Sequence, residues 1–182
     1  MLIVFSGLPG TGKTTVAKNL ATHLAATYLR IDSIEQALRN SGSADIGSSG
    51  YVVANQLAAD NLRCGRTVVV DCVNPVAESR QAWAQVAARS GVDLLNVQVI
   101  CSDAQMHRQR VEARSSDIPG LVAPTWASVL AHEYEPWDSP PLTLDTARLS
   151  PEEAVVLIRQ ASREQACAPQ ARAVGADTLN SH

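Results

Sequence analysis

The stretch GLPGTGKT, Gly7 to Thr14, follows directly on the apolar run Leu2 to Ser6 and opens a segment with Val16, Ala17, Leu20 and Leu24 at helical spacing. It satisfies G-x-x-x-x-G-K-S/T in the context that gives the pattern physical meaning, between a strand and a helix. Gly7, Gly10 and Gly12 let the backbone turn its N–H groups inward around phosphate oxygens, and the helix N-terminus adds the positive end of its dipole. Lys13 is placed to reach the β- and γ-phosphates and the Thr14 hydroxyl to ligate Mg²⁺. The expected ligand is a nucleoside triphosphate, ATP with Mg²⁺, with Thr11 and Thr15 counted among the nucleotide-binding residues.

The rest of the chain reads as further strands and helices around this element. Apolar or β-branched runs predict strands at Tyr28–Ile31, Thr67–Val70, Leu94–Cys101 and Leu142–Leu144, and helical stretches lie between them. That alternation predicts a parallel sheet covered by helices on both faces. Helix starts are marked by Asn74 before Pro75, by Ser102 with Gln105 and by Ser150 with Glu153 behind Pro151. Val76, Trp83, Val86 and Ala87 recur at helical spacing on the segment Pro75–Ser90 and read as a core face. Between the second and third strands lie a short helix, Ser33–Asn40, a Gly/Ser loop, Ser41–Gly50, and a longer helix, Tyr51–Cys64, more than a minimal crossover needs. Gln165–His182 shows no periodicity and reads as a flexible tail, leaving a single domain over 1–164 with a lid around 104–124. A chain of 182 residues, 46% of them apolar, supplies one core of normal size.

Composition narrows the function classes. The formal charge of -3 lacks the basic excess expected of a duplex-binding module. Cys64, Cys72, Cys101 and Cys167 are widely spaced and form no metal-ligand or redox motif, so they read as isolated buried thiols in a reducing compartment. No secretory leader pattern and no run of membrane-spanning length is visible, and the expected location is the cytoplasm.

The sequence resembles the broad family of bacterial P-loop kinases related to chloramphenicol phosphotransferase, zeta toxins, adenylylsulfate kinase and the 5'-kinase domain of polynucleotide kinases. The resemblance spans about residues 1–160. It rests on the order of five segments, GLPGTGKT, LRIDSIEQAL, TVVVDCVNP, MHRQRVEAR and EYEPWDSPPLTLDT. It implies the P-loop three-layer α/β sandwich, with a five-stranded parallel sheet of order 2-3-1-4-5. Strand three would then lie beside strand one, and Asp71, closing the run TVVVD, would stand near Thr14 as a metal-holding carboxylate; a plain turn residue is the alternative. Related kinases place the acceptor-site aspartate where Asp32 stands, although an aspartate there also suits a helix cap. Which of Asp32 and Asp71 takes the acceptor's proton stays open within such families, and the expectation is Asp32.

Arg110 and Arg114 lie four apart, so on one helix their like charges would repel unless an anion joined them. ATP phosphates would do so if Ser115–Pro124, with Pro119 and Gly120, is a lid carrying these arginines; surface pairing with Glu112 or Asp117 is the alternative. His107 and Arg108 are expected to be solvated, and His132 reads as surface. Similar kinases pass the loop after strand five along the adenine, which makes Thr146, Ala147 and Arg148 candidate base contacts. Trp126 and Trp137 read as packing residues rather than substrate stackers.

The expected activity is transfer of the γ-phosphoryl group of ATP to a hydroxyl of a small-molecule acceptor. Lys13, Arg110 and Arg114 would neutralise charge, Thr14 and Asp71 would hold Mg²⁺, and Asp32 would orient the acceptor. A nucleic-acid 5'-hydroxyl kinase, using Arg63, Arg66 and Arg80 as a basic channel, is one alternative. A nucleotide-dependent switch with little turnover is another. No N-K-x-D base-reading motif and no G-G-G triplet of the shikimate-kinase type is present.

Overall fold

A computed structural model describes residues 1–43 and 45–167. Five strands, β1 (Leu2–Ser6), β2 (Thr27–Arg30), β3 (Val68–Asp71), β4 (Leu94–Ile100) and β5 (Leu142–Asp145), form one parallel sheet of order β2-β3-β1-β4-β5. The seven helices among the described residues are α1 (Lys13–Leu24), α2 (Ile31–Asn40), α3 (Ser49–Arg63), α4 (Ala77–Arg89), α5 (Ala104–Glu112), α6 (Trp126–Leu130) and α7 (Pro151–Cys167). This is the three-layer arrangement and strand order that the family resemblance implies.

The strand sequences follow from position in the sheet. β1 (LIVFS) and β3 (VVVD) are central and buried along their whole length, so every side chain faces one helical layer or the other. Ile3, Phe5, Val69, Val97 and Leu144 pack against α1 and α7 through Val16, Leu20, Val155 and Ile158. Leu2, Val4, Val68 and Val70 pack on the opposite layer, against Ile31, Ala54, Ala58, Leu62, Trp83 and Ala87 of α2, α3 and α4. Trp83 and Ala87 are thus core residues as their spacing predicts. β2 and β5 are edges and carry polar residues, which is why their apolar signal is short.

Several boundaries differ from the sequence expectation, each for a local reason. Asp71 belongs to β3 itself, and β2 ends at Arg30, so Asp32 lies in the first turn of α2 rather than at a strand end. α3 begins inside the expected Gly/Ser loop. α4 starts at Ala77 because Asn74 is not a cap. With φ 51 it ties its loop down, donating from Nδ2 to Ser6 Oγ and from its backbone N–H to the Tyr51 hydroxyl, and accepting from Ser79 Oγ at Oδ1. α5 is capped by Asp103, whose Oδ1 accepts from Met106 N, since the Ser102 N–H and hydroxyl are donated to Asp145. The Ser150/Glu153 capping box forms as expected, with Ser150 N donating to Glu153 Oε2 at 2.8 Å and Glu153 N to Ser150 Oγ at 3.2 Å.

Residues 165–167 of the expected tail continue α7, where Gln165 donates to the Leu94 carbonyl; 168–182 lie outside the described residues. Of the cysteines only Cys72 is buried, donating to the Phe5 carbonyl; Cys101 is half-buried, and Cys64 and Cys167 are exposed, contrary to the expectation of four buried thiols. No helix among the described residues is long and apolar enough to cross a membrane.

Candidate functional site

The loop between β1 and α1 sits at the carboxyl end of the sheet and lines a cleft of about 500 Å³. Gly10 and Gly12 adopt φ of 85° and 86°, a region that side-chain-bearing residues avoid, so the loop can curl. Gly10 is also pinned from outside: a Cβ there would meet Val111 Cγ2 at 2.4 Å and His107 Cδ2 at 3.2 Å. Gly7 lies equally close to β4, where a Cβ would stand 2.3 Å from the Val99 carbonyl oxygen. Gly12 occupies the N-cap of α1 and offers no side-chain acceptor, so the first N–H groups of α1 keep their hydrogen-bonding capacity for an anion. Thr11 braces the loop by donating from Oγ1 to the Leu8 carbonyl at 2.9 Å. Thr14 and Thr15 line the cleft.

Lys13, the first residue of α1, meets Asp71 at the end of β3, Nζ to Oδ1, at 2.9 Å. Parallel register puts Asp71 beside Phe5 on one side and Arg30 on the other, at the strand ends where the loop turns. Burial opposes the Lys13 charge, but Asp71 more than offsets it and holds the ammonium above its ordinary value. Burial also pushes the Asp71 carboxyl up, and Lys13, Thr14 and Tyr28 outweigh it, so the group lies below the usual carboxylate range. The second oxygen of Asp71 accepts from the Tyr28 hydroxyl at 2.8 Å. Burial and the neighbouring Asp71 raise the Tyr28 pKa and keep that hydroxyl a donor.

Arg30 is the residue that sequence reasoning missed. Its side chain is 4% exposed and stands among three carboxylates: Nη1 donates to Asp117 Oδ1 at 2.8 Å, and Nε lies 3.8 Å from both Asp32 Oδ2 and Asp71 Oδ2. Tyr28 and Arg30 are two apart on β2 and so point to the same face, which was the available signal. Asp32 is 37% exposed and has Arg114 Nη2 at 4.0 Å as well.

Arg110 and Arg114 both line the cleft, yet they do not share one helix face, because α5 ends at Glu112. Arg110 donates to Thr146 Oγ1 at 2.8 Å and to the Thr146 carbonyl at 3.2 Å, and Thr146 Oγ1 in turn donates to the Thr11 carbonyl at 2.7 Å. Of the three candidate base contacts, Thr146 alone lines the cleft; Arg148 is exposed and pairs with Asp145. His107, expected to be solvated, is buried. Its Nε2 is 2.8 Å from the Pro9 carbonyl, and its ring packs edge-on to Trp126 with centroids 5.1 Å apart. Arg108 is exposed and pairs with Glu112, and His132 is exposed as read.

The basic channel suggested by Arg63, Arg66 and Arg80 is not assembled. Arg80 is buried, donates to the carbonyls of Asn74, Pro75, Glu135 and Pro136, and stacks on Trp137 at 4.1 Å. Arg63 pairs with Asp60 on its own helix, and Arg66 is exposed. Trp137 and Trp126 are both packing residues. The sequence points Arg80 to a channel because a lone arginine on a helix gives no sign that four loop carbonyls converge on it.

Comparison with known proteins places this geometry in a lineage. A family model described as AAA domain matches residues 2–130. The bifunctional enzyme CysN/CysC of Mycobacterium tuberculosis is 31% identical over 152 residues, covering 75% of this chain and 22% of that protein. The chain thus spans about a fifth of the length of the curated relatives it matches. Among solved structures, Kti12 of Chaetomium thermophilum in complex with ADP-AlF3 superposes with a TM-score of 0.68 at 19% identity, over 91% of this chain and 98% of that one. The Mycobacterium tuberculosis APS kinase CysC in complex with AMPPNP and APS gives a TM-score of 0.57 at 23% identity, over 88% and 96%. At these identities the structural likeness is one of fold. With its phosphate-binding loop, its strand order and a family match over most of its length, the chain belongs to the AAA domain family and has the P-loop kinase fold.

Proposed function

We propose that this chain is an ATP- and Mg²⁺-dependent phosphotransferase that moves the γ-phosphoryl group to a hydroxyl of a small-molecule acceptor. The observation that carries the reading is the contrast between the two carboxylates that flank Arg30. Asp71 is 1% exposed with both oxygens engaged, whereas Asp32 is 37% exposed beside two cleft-lining arginines. One is built to be held and the other to be reached.

In this reading the loop Gly7–Thr14 cradles the triphosphate, and Lys13 exchanges Asp71 for the β- and γ-phosphate oxygens. The hydroxyl of Thr14 and the carboxylate of Asp71 suit a hard divalent cation, and Asp71 becomes available to it as Lys13 turns away. Magnesium bound there would neutralise charge on the β- and γ-oxygens. Asp32 orients the acceptor hydroxyl and takes its proton as the new O–P bond forms and the bond from the γ-phosphorus to the bridging oxygen breaks, releasing ADP. Arg110 and Arg114 offset the charge spreading over the transferring group. Arg110, anchored on Thr146, also fixes the wall against which the base would lie.

The name APS kinase, borne by one structural neighbour, supports a small-molecule acceptor, and the unassembled basic channel argues against a nucleic-acid strand. The test is ADP release from Mg-ATP by the wild type and Lys13→Ala, against pools of hydroxyl metabolites and antibiotics and, separately, 5'-hydroxyl oligonucleotides. Stimulation by a small-molecule pool that is lost in Lys13→Ala supports the proposal. Stimulation by oligonucleotides alone would move it to the nucleic-acid class, and silence with ATP bound would favour a switch.

A further inference from the structure

Asp117 lies in the segment 113–125 that links α5 to α6, and its carboxylate reaches across the cleft. One oxygen accepts from Lys18 of α1 at 2.6 Å and the other from Arg30 of β2 at 2.8 Å. Lys18, Arg30 and Asp117 all line the same cleft as the phosphate-binding loop. The two cations belong to the rigid body of the fold, one on the helix that the loop opens and one at the end of a strand. The anion belongs to the connecting segment.

Arg30 is unusual among the cations here. Its side chain is almost fully buried, and its Nε, also buried, has no hydrogen-bond partner although two carboxylates stand 3.8 Å away. A buried guanidinium is stable only when its fork is filled, because a buried donor without a partner carries its full desolvation cost. One arm of the fork is filled by a carboxylate of the connecting segment that is itself half exposed and held ionised by Lys18 and Arg30. Asp71 accepts from Lys13 and Tyr28 and stands 3.8 Å from Nε, beyond hydrogen-bond reach, so it leaves the fork incomplete. The geometry is that of an anion receptor occupied by a side chain of the segment between α5 and α6, next to Asp32, which the proposed reaction uses.

We propose that Arg30 and Lys18 form an acceptor subsite for an anionic group, carboxylate, phosphate or sulfate, and that the Asp117 carboxylate is its resident occupant until the acceptor displaces it. The proposal rests on the phosphotransferase reading and narrows its substrate class to hydroxyl compounds bearing a negative charge close to the reacting hydroxyl. A planar, bidentate fork beside an ammonium suits such a group better than a neutral sugar or a cationic antibiotic. Asp117 then has two effects. It keeps the segment 113–125 docked while the acceptor is absent, and it competes with any anion for the site.

The test uses matched acceptors that differ in the anionic group: gluconate against glucose, glycerate against glycerol, and adenosine 5'-phosphosulfate against adenosine. ADP release from Mg-ATP is measured for the wild type, Arg30→Gln, Lys18→Met and Asp117→Asn. The expected result is stimulation by at least one anionic member well above its neutral partner. For that compound Arg30→Gln and Lys18→Met raise KM at least tenfold with kcat changed only a few-fold, and Asp117→Asn lowers KM. Lys18 is exposed on α1, so its variant keeps the test informative if Arg30→Gln fails to fold. Neutral members stimulating as well as their anionic partners, or KM unmoved in the Lys18 and Arg30 variants, would overturn the subsite and leave the phosphotransferase reading standing. Silence of all six compounds, and of the broader hydroxyl pools, with ATP bound would remove that reading and the subsite with it.

Discussion

The buried pair of Lys13 and Asp71 permits a double-mutant cycle whose outcome can be worked in advance. Its side chains are 9% and 1% exposed, and the charges touch at 2.9 Å. Removing one partner of a buried ion pair costs about 3–5 kcal/mol, because the remaining charge stays desolvated. Here the lower end applies. Lys13 lines the cleft, so after Asp71→Asn its ammonium can turn toward water, and after Lys13→Met the Asp71 carboxylate keeps the Tyr28 hydroxyl. Each single variant should therefore lose about 3 kcal/mol, or about 6–12 °C in Tm at about 2–4 °C per kcal/mol for a chain of this size. The double variant removes both charges and should fall short of the sum by about 2–3 kcal/mol. Urea unfolding at pH 7, followed by tryptophan fluorescence, to which the buried Trp83 contributes, reads all four corners of the cycle. Losses that add to within about 0.5 kcal/mol would refute the claim that the pair is a mutually dependent unit.

Linkage gives the same pair a pH signature. Asp71 is depressed in the folded state, so its contribution is present above the ordinary carboxylate pKa of 3.8 and is lost as pH falls through the lower folded value. Lys13 is raised, so its contribution is present below 10.5 and is lost as pH climbs through the higher folded value. Stability of Asp71→Asn should accordingly respond less to acid than that of the wild type, as measured by Tm while pH is lowered from about 5 to about 2. Gly10→Ala should cost about 1–3 kcal/mol from its positive φ, with a further loss from contact with Val111 and His107, and should abolish ATP binding by calorimetry. Trp83→Ala, on α4 in the core layer opposite α1, should cost about 3–5 kcal/mol in urea while ATP affinity stays within about twofold. Asp32→Asn should leave ATP affinity intact and reduce turnover by about 10²–10⁴-fold; turnover near the wild type would transfer the proton-accepting role elsewhere.

Legibility in this chain tracks how local the physics is. The loop Gly7–Thr14, the central strands and the Ser150/Glu153 cap could be read directly, since each depends on neighbours in sequence. Asn74 and Ser102 show the opposite case. Both have cap-like spacing, but Ser6 and Tyr51 claim the first and Asp145 the second, and these partners arrive only when the sheet is assembled. His107 reads as solvated because its separation of 98 positions from Pro9 hides the fact that α5 lies against the loop. Arg30 and Tyr28 fell within an edge strand whose interest lies in the ends it presents, where parallel register aligns Arg30 with Asp71. The two aspartates were legible as candidates, but their division of labour was not. One is sealed between strands and the other sits half open on a helix, a difference of burial that no spacing reveals.

The most direct test of the account is the fate of the γ-phosphorus. Phosphorus NMR of Mg-ATP turned over in the presence of the stimulating acceptor should show ADP and a new phosphate ester in equal amounts, with little inorganic phosphate. ADP matched by inorganic phosphate alone would mean that water receives the group, and the assignment of Asp32 to an acceptor hydroxyl would be contradicted.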